Sequence, residues 1–376
     1  MKKIGIIGAG ISGLYLANII NDNPDLDYKI FEKRDDYNLT EGYGIQLSVN
    51  SIQLLNKIGF KNLPTSEVCF PDKINFFHGK NSRKICDIDL SQFNYDLNRY
   101  STLKRSTLLN FLLENIPQDK INFNIKLTHL EKGDIIKAKF SNNLEENFDF
   151  LVIADGVFSE TKSLAFNKSI QPKYNNSIAL RAIIKEQRDE DISICMGSNF
   201  HYVIYPVNKN NEYNFVSILS RKLTNQELND KEFFNSESFL NSLKEIIEKN
   251  SYVKFDNLTE IKAYPVFVSD KIPNINQNNI FLSGDAFFAL PPSLAQGASQ
   301  SIETAQSIFD SIVKKKNDYY KKRKNIISSI NIKSKLNHYV FHLSNPLNIL
   351  LRNIFLKYLS KNKSFLKNYL GKIYKN

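Results

Sequence analysis

Three glycine–acid clusters are the stretches of this chain whose residue types and spacing could do chemistry. The first is Gly8-Ala9-Gly10-Ile11-Ser12-Gly13. It follows the apolar run Lys3-Ile4-Gly5-Ile6-Ile7 without a gap and precedes Leu14, Leu16, Ala17, Ile19 and Ile20 at helical spacing. A second apolar run, Tyr28-Lys29-Ile30-Phe31, ends at Glu32, with Lys33 and Arg34 behind it. A buried parallel strand, a glycine turn, a helix and a second strand closed by an acid form an arrangement that holds an adenine dinucleotide. Gly8 permits the turn, Gly10 lets backbone approach a pyrophosphate, and Gly13 lets helix pack on strand. The helix start offers free N–H groups to the phosphates, and Glu32 can accept hydrogen bonds from a ribose diol. This motif alone does not choose between FAD and NAD. The other two clusters close further apolar runs: Phe150-Leu151-Val152-Ile153-Ala154-Asp155-Gly156, and Ile280-Phe281-Leu282-Ser283-Gly284-Asp285.

The elements that position these clusters follow from pattern. A helix is expected from about Val49 to Ile58, strands over Ile74–His78 and Lys84–Leu90, and an amphipathic helix through Leu108, Leu109, Leu112 and Leu113. Short strands follow at Ile121–Ile125, Ile135–Phe140 and Glu146–Phe148. Ser177–Ile184, His201–Pro206 and Tyr213–Ser220 read as an antiparallel sheet in a separate lobe, and Gln226–Asn250 as a helical region. The third cluster runs through Pro291-Pro292 into a helix near Gln296, and everything past Asp310 reads as helical. The pattern reads as α/β, with a Rossmann-like dinucleotide-binding domain, an antiparallel-sheet lobe and C-terminal helices. The expected divisions are 1–70 with 98–170 and 262–320, then 71–97 with 171–261, then 321–376.

Composition narrows the class. The 376 residues carry a net charge of +11 and 42% hydrophobic content, ordinary for a globular protein with a sizeable core. No apolar run approaches the ~20 residues of a membrane span. Met1-Lys2-Lys3 leads straight into a strand, so no signal peptide is expected. Cys69, Cys86 and Cys195 are scattered and suggest neither a metal site nor a disulfide framework, which fits a reducing, cytoplasmic setting. The lysine runs Lys314-Lys315-Lys316 and Lys321-Lys322-Arg323-Lys324 read as solvated helix faces. No recognition motif accompanies them, so no nucleic-acid partner is expected.

Taken together, the three clusters resemble the fingerprints of the group A FAD-dependent aromatic hydroxylases, the p-hydroxybenzoate hydroxylase-like family, nearest its salicylate and 3-hydroxybenzoate hydroxylase branch. The resemblance spans nearly the whole chain and implies an α/β fold with an FAD-binding Rossmann-like (GR2-type) domain, an antiparallel-sheet substrate domain and C-terminal helices. Asp149 to Lys162 is similar to the family's Asp-Gly motif, with Asp155 at the cofactor and Lys162 where Arg is usual. Gly284 to Ala298 is similar to its Gly-Asp segment, in which Asp285 would hold the ribityl chain and the backbone N–H groups of Gln296, Gly297 and Ala298 would stabilise charge on the reduced flavin. Arg105 opens a helix where the family has an FAD-contacting arginine. Gly42-Tyr43-Gly44-Ile45-Gln46-Leu47 resembles the segment beside the flavin ring, and His201 to Val207 a pocket-lining strand. Phe288 stands where relatives commonly have His.

The resemblance implies a monooxygenase. Flavin reduced by NADH or NADPH would react with O2 to a C4a-hydroperoxide, from which one oxygen atom passes to an aromatic or conjugated cyclic substrate. His201 and Tyr205 are the candidate bases. Pro292 would rigidify the turn against the flavin, and Tyr43, Arg181 and Tyr205 would line the substrate pocket. Two alternatives stay open: a reductase or dehydrogenase of the same fold, and a non-catalytic flavin-binding protein docked at a membrane. Leu347, Leu350, Leu351, Ile354, Phe355, Tyr358 and Leu359 recur at helical spacing among lysines. Packing of this stripe onto the body is the favoured expectation, and peripheral membrane contact the alternative.

Overall fold

The computed structural model describes residues 1–36, 43–167, 169–273, 278–314 and 318–374. Gly42 of the expected flavin segment, and Lys315 and Lys316 of a lysine run, lie outside the described residues.

A five-stranded parallel sheet carries all three clusters. Its order is Ile280–Leu282, Phe150–Ile153, Lys2–Ile7, Leu26–Phe31 and Ile121–Asn122. The three strands that end in glycine–acid turns are therefore immediate neighbours, and their carboxyl ends open on one edge. Ladder-like bonds continue past the strand ends: Ala154 N–H donates to Ile7 O at 2.7 Å and Ser283 N–H to Ile153 O at 2.9 Å. Ligands of open α/β sheets bind at this edge. The strands are apolar throughout because both faces are covered, with Ile4, Ile6, Leu151, Val152 and Leu282 fully buried.

A seven-stranded sheet forms the second layer, in the order Leu258–Val268, Lys173–Lys185, Glu212–Ser220, Phe200–Pro206, Ile192–Gly197, Lys73–His78, Lys84–Asp89. It is antiparallel except where Ile192–Gly197 meets Lys73–His78. Alternation assigns its faces. Phe200, Tyr202, Phe215 and Leu219 pack with Phe239, Leu243 and Ile247 of the helix Glu237–Asn250. The residues between them, His201, Val203 and Tyr205, face a cavity, opposite Ile218 and Val216 in register. The pair Gly44–Leu47 and Ser101–Lys104 bridges the layers. A Cβ on Gly44 would lie 2.5 Å from Val207 Cγ1 and 2.7 Å from Tyr205 Cε2, so only glycine lets this strand lie against the sheet.

The expected Gln226–Asn250 helix is broken into Asn225–Asn229 and Glu237–Asn250. The strands Ile192–Gly197 and Leu258–Val268 were not expected. Leu258–Val268 contains Pro265 and a left-handed Glu260 (φ 53), both tolerated because it is an edge strand paired on one side only.

The C-terminal helices are Gly297–Lys314, Tyr319–Phe341 and Pro346–Leu359. The apolar stripe of the last does not pack inward: Leu347, Leu350, Ile354, Phe355 and Tyr358 are each more than half exposed. Its inward side is centred on Arg352, buried and donating to Asn353 Oδ1. Apolar residues lie nearly all round this helix, so periodicity marked a stripe without marking which side meets the body.

Candidate active site

The glycine loop is built as its spacing requires. Gly8 sits at φ 105, and a Cβ there would be 2.5 Å from the carbonyl oxygen of Ala154 in the neighbouring cluster. A Cβ on Gly13 would be 2.1 Å from Gly8 O, where the helix Ile11–Asn21 presses on the loop. A Cβ on Gly10 would meet nothing within 4 Å, so that position faces open space. Glu32 draws the loop to the second strand: Oε2 accepts the Ala9 N–H at 2.8 Å and Oε1 the Arg34 N–H at 3.1 Å. Its remaining lone pairs are available to a diol. Ser12 turns inward, its hydroxyl 2.5 Å from that of Ser283 and donating to Ser301 O. It ties the first cluster to the third and leaves only its backbone N–H, at the helix start beside that of Ile11, for a ligand. Lys33 and Arg34 are exposed.

Asp155 and Asp285 end the adjacent strands. Asp285 is open to the cavity but otherwise enclosed by protein. Desolvation holds its carboxyl above the usual range, and Arg105 and Lys162 pull it back down. Asp155 is raised for the same first reason, against hydrogen bonds from Ser159 and Thr161. Arg105, whose N–H donates to Tyr43 O, thus faces the third cluster. Its neighbour Lys104 pairs with Glu212 at 2.6 Å instead.

Beyond Gly284 (φ 59) the chain forms the loop Leu290–Ala298, braced from the long C-terminal helix. Ser334 donates to Pro291 O at 2.8 Å and Asn337 to Ser293 O at 3.2 Å. Ala295 is held left-handed at φ 52, a strained conformation of the sort that clusters at ligand-binding loops. Pro292, Gln296, Gly297 and Ala298 line the cavity, with Gly44 and Gln46 opposite. The cavity measures about 810 Å³ and is mostly apolar, with Ile74, Phe76, Ile194 and Val203 among its walls.

Three polar side chains of the sheet enter it. Arg181 does, and its guanidinium also lies 5.7 Å from the ring centroid of Tyr43. Tyr43 itself is buried behind that wall, donating to Glu260 O, and is not among the lining residues. Tyr205 bonds Gln46, and burial pushes its hydroxyl well above the usual value, so it serves as a donor rather than a base. His201 is 2% exposed. Its Nδ1 is 2.8 Å from His342 Nε2, and His342 Nδ1 is 2.8 Å from the hydroxyl of Ser220, an exposed residue. The His338 ring lies against that of His342, centroids 4.1 Å apart and planes tilted by 43°. His201 Nε2 has no hydrogen-bond partner among the described residues. Burial, and then the nearby His338, bring His201 down to about 3; burial brings His342 to about 2 and lowers His338.

His342, His338 and Ser220 were absent from the sequence-based site. The available signal was a pair of histidines spaced i, i+4, which share a helix face. The three depressed histidines carry a consequence for stability. The unfolded chain binds protons at these sites below 6.5 while the folded chain does not, so stability is lost as pH falls from 6.5 toward 3. In chemical denaturation, His201→Phe and His342→Phe should each flatten that acid limb. An unchanged limb in both would remove the cluster as its cause.

A family model described as "FAD binding domain" matches residues 1–315. The chain belongs to that FAD-binding family. It is an FAD-dependent monooxygenase, with FAD as its cofactor. Among curated proteins it is similar to 6-hydroxynicotinate 3-monooxygenase of Pseudomonas fluorescens, 22% identical over 313 residues, 80% of each chain. It is also similar to salicylate hydroxylase of Pseudomonas putida, 20% identical over 343 residues, 81% of this chain and 74% of that one. Among solved structures, Klebsiella pneumoniae HpxO in complex with FAD and uric acid superposes with a TM-score of 0.82 at 14% identity, covering 99% of this chain and 96% of that one.

The residues of this flavoenzyme fit the cofactor. Gly10, Gly156 and Gly297 each leave open space where a Cβ would stand. Gln296 Nε2 and Asp155 Oδ1 are buried without partners, as groups awaiting a polar ligand would be. Gly297 begins an 18-residue helix whose free N–H groups point toward the cavity edge that Gln296 and Ala298 line.

Proposed function

We propose that the enzyme uses NADH or NADPH and O2 to hydroxylate a hydroxyl-bearing aromatic or conjugated cyclic compound held against the seven-stranded sheet, with His201 as its proton acceptor. Bound FAD supplies the oxygen activation. Glu32, Arg105, Asp155, Asp285 and the backbone of Gly8–Gly13 and Gln296–Ala298 would hold it. Pro292 would close the turn beside the ring, and apolar walls would exclude water from the reacting atoms. Arg181 offers a planar donor fork to an anionic substituent, and Tyr205 a hydroxyl donor.

The observation that carries this reading is the open nitrogen of His201, backed by a hydrogen-bonded path to the surface. With His201 donating Nδ1–H to His342 and His342 donating to Ser220, Nε2 is a bare acceptor on the cavity wall. Burial opposes an imidazolium at either ring. A proton taken at Nε2 is therefore passed on as the Nδ1 proton leaves for His342, and exits at Ser220. The substrate oxygen becomes electron-rich without a charge being stored in the wall. The curated relatives are named for 6-hydroxynicotinate and salicylate, both hydroxylated aromatic acids, which supports the same substrate class for this chain.

The experiment is a panel of phenolic acids and neutral phenols screened for stimulated NAD(P)H oxidation, with labelled O2 traced into the product by mass. His201→Phe should keep FAD and cut turnover by about a hundredfold, within the usual reach of general-base catalysis. His342→Phe should lower kcat with little change in KM. Stimulated oxidation without label in any product would replace this reading with a reductase. Full turnover in His201→Phe would remove His201 from the chemistry.

A further inference from the structure

The outer surface at the cavity mouth is apolar and cationic at once. On the helix Tyr319–Phe341, Ile332, Leu336 and Tyr339 are 67%, 50% and 66% exposed, spaced to form one stripe. On Pro346–Leu359, the exposed Leu347, Leu350, Ile354 and Tyr358 continue it. Single exposed apolar residues need no explanation, but a contiguous patch marks an interaction site. This patch runs into the cavity, because Leu336, Tyr339, Leu351 and Phe355 belong both to the exposed face and to the cavity lining.

The chain that carries it has charge of one sign. Thirteen lysines and arginines and no aspartate or glutamate lie between Lys321 and Asn376. Lys335, Lys357, Lys361 and Lys363 are exposed, and none has an ion-pair partner among the described residues. Elsewhere exposed lysines do find acids, as Lys84 does with Asp87 and Lys249 with Glu245. A second copy of this chain would bring the same cations against these, which repel. An anionic lipid surface matches both properties: apolar side chains enter the acyl boundary while lysines meet the headgroups. No described helix is long and apolar enough to cross a membrane, so contact through this face is interfacial.

We propose that the outward face of these two helices docks on an anionic bilayer, and that a lipophilic aromatic substrate enters the cavity from the lipid between Leu336 and Tyr339 on one side and Leu351 and Phe355 on the other. The entry half rests on the monooxygenase reading; the docking half does not.

The test floats the full-length, FAD-loaded protein with vesicles of phosphatidylcholine alone or mixed with phosphatidylglycerol. Wild type should float with the mixed vesicles. The double variant Leu350→Ser/Ile354→Ser, at positions outside the cavity lining, should lower that affinity by about tenfold or more. Lys357→Gln/Lys361→Gln/Lys363→Gln should do the same. Unchanged FAD content and melting temperature show that the variants fold. NAD(P)H oxidation with a water-soluble phenol, run in parallel, reports on the catalytic reading separately. Wild type left unbound by the mixed vesicles overturns the proposal. So does a dimer in sedimentation that Leu350→Ser/Ile354→Ser splits. Truncation is the wrong instrument, because Leu366, Leu370, Ile373 and Tyr374 beyond the helix are buried.

Discussion

Gly10→Val is expected to yield a stable protein that no longer holds FAD, whereas Gly13→Val is expected to weaken the fold itself. Gly10 has an extended backbone (φ −83, ψ −178) that any residue adopts, and a Cβ there touches nothing. The free chain should therefore melt as wild type does. The space that Val fills is the one the cofactor's phosphates need beside the helix start. FAD affinity should fall about a hundredfold or more, about 3 kcal/mol. At Gly13 the added Cβ would be 2.1 Å from Gly8 O and 3.2 Å from Ile6 Cγ2, so the helix must move off the sheet. The FAD-free protein should then lose stability before any question of binding arises. Titration with FAD and melting of the free chain separate the two. Wild-type FAD affinity in Gly10→Val would displace the phosphates from this loop.

Arg323→Met is expected to be the most destabilising single substitution in the C-terminal region. Arg323 is 2% exposed, with Nη1 3.1 Å from Glu303 Oε2 and Nε donating to Thr304 Oγ1 at 3.1 Å. Its removal leaves the Glu303 carboxylate buried, still accepting from Gln300 and Asn50 but without its cation. Breaking a buried pair from one side costs about 3–5 kcal/mol. The same network reaches the cofactor edge, because Gln300 also holds Gln296, donating to its Oε1 at 3.1 Å. FAD affinity should therefore fall along with stability. Replacing both partners, Glu303→Leu with Arg323→Met, should recover much of the loss, since no unpaired charge then stays inside. Denaturation midpoints of the single and double variants against wild type test this. A single substitution as stable as wild type would show that the pair holds nothing together.

The sequence by itself determined the local devices. Each glycine of the first cluster does what its spacing requires: Gly8 turns, Gly10 stays open and Gly13 admits the helix. Such devices span a few residues, so the physics that needs them is written in adjacent positions. The same holds for the parallel strands, whose unbroken apolar runs declare burial on both faces. What only the tertiary structure decided are relations between distant segments. His201 meets His342 across 141 positions, and Ser12 meets Ser283 across 271. No periodicity in either segment encodes the other's approach. The side of the last long helix that faces solvent was also undecided, because an apolar stripe follows the same 3.6-residue repeat whether protein or lipid covers it. Which of the two covers it depends on neighbours, and here the side carrying Arg352 and Leu356 meets the body, leaving Leu347, Leu350 and Ile354 outside.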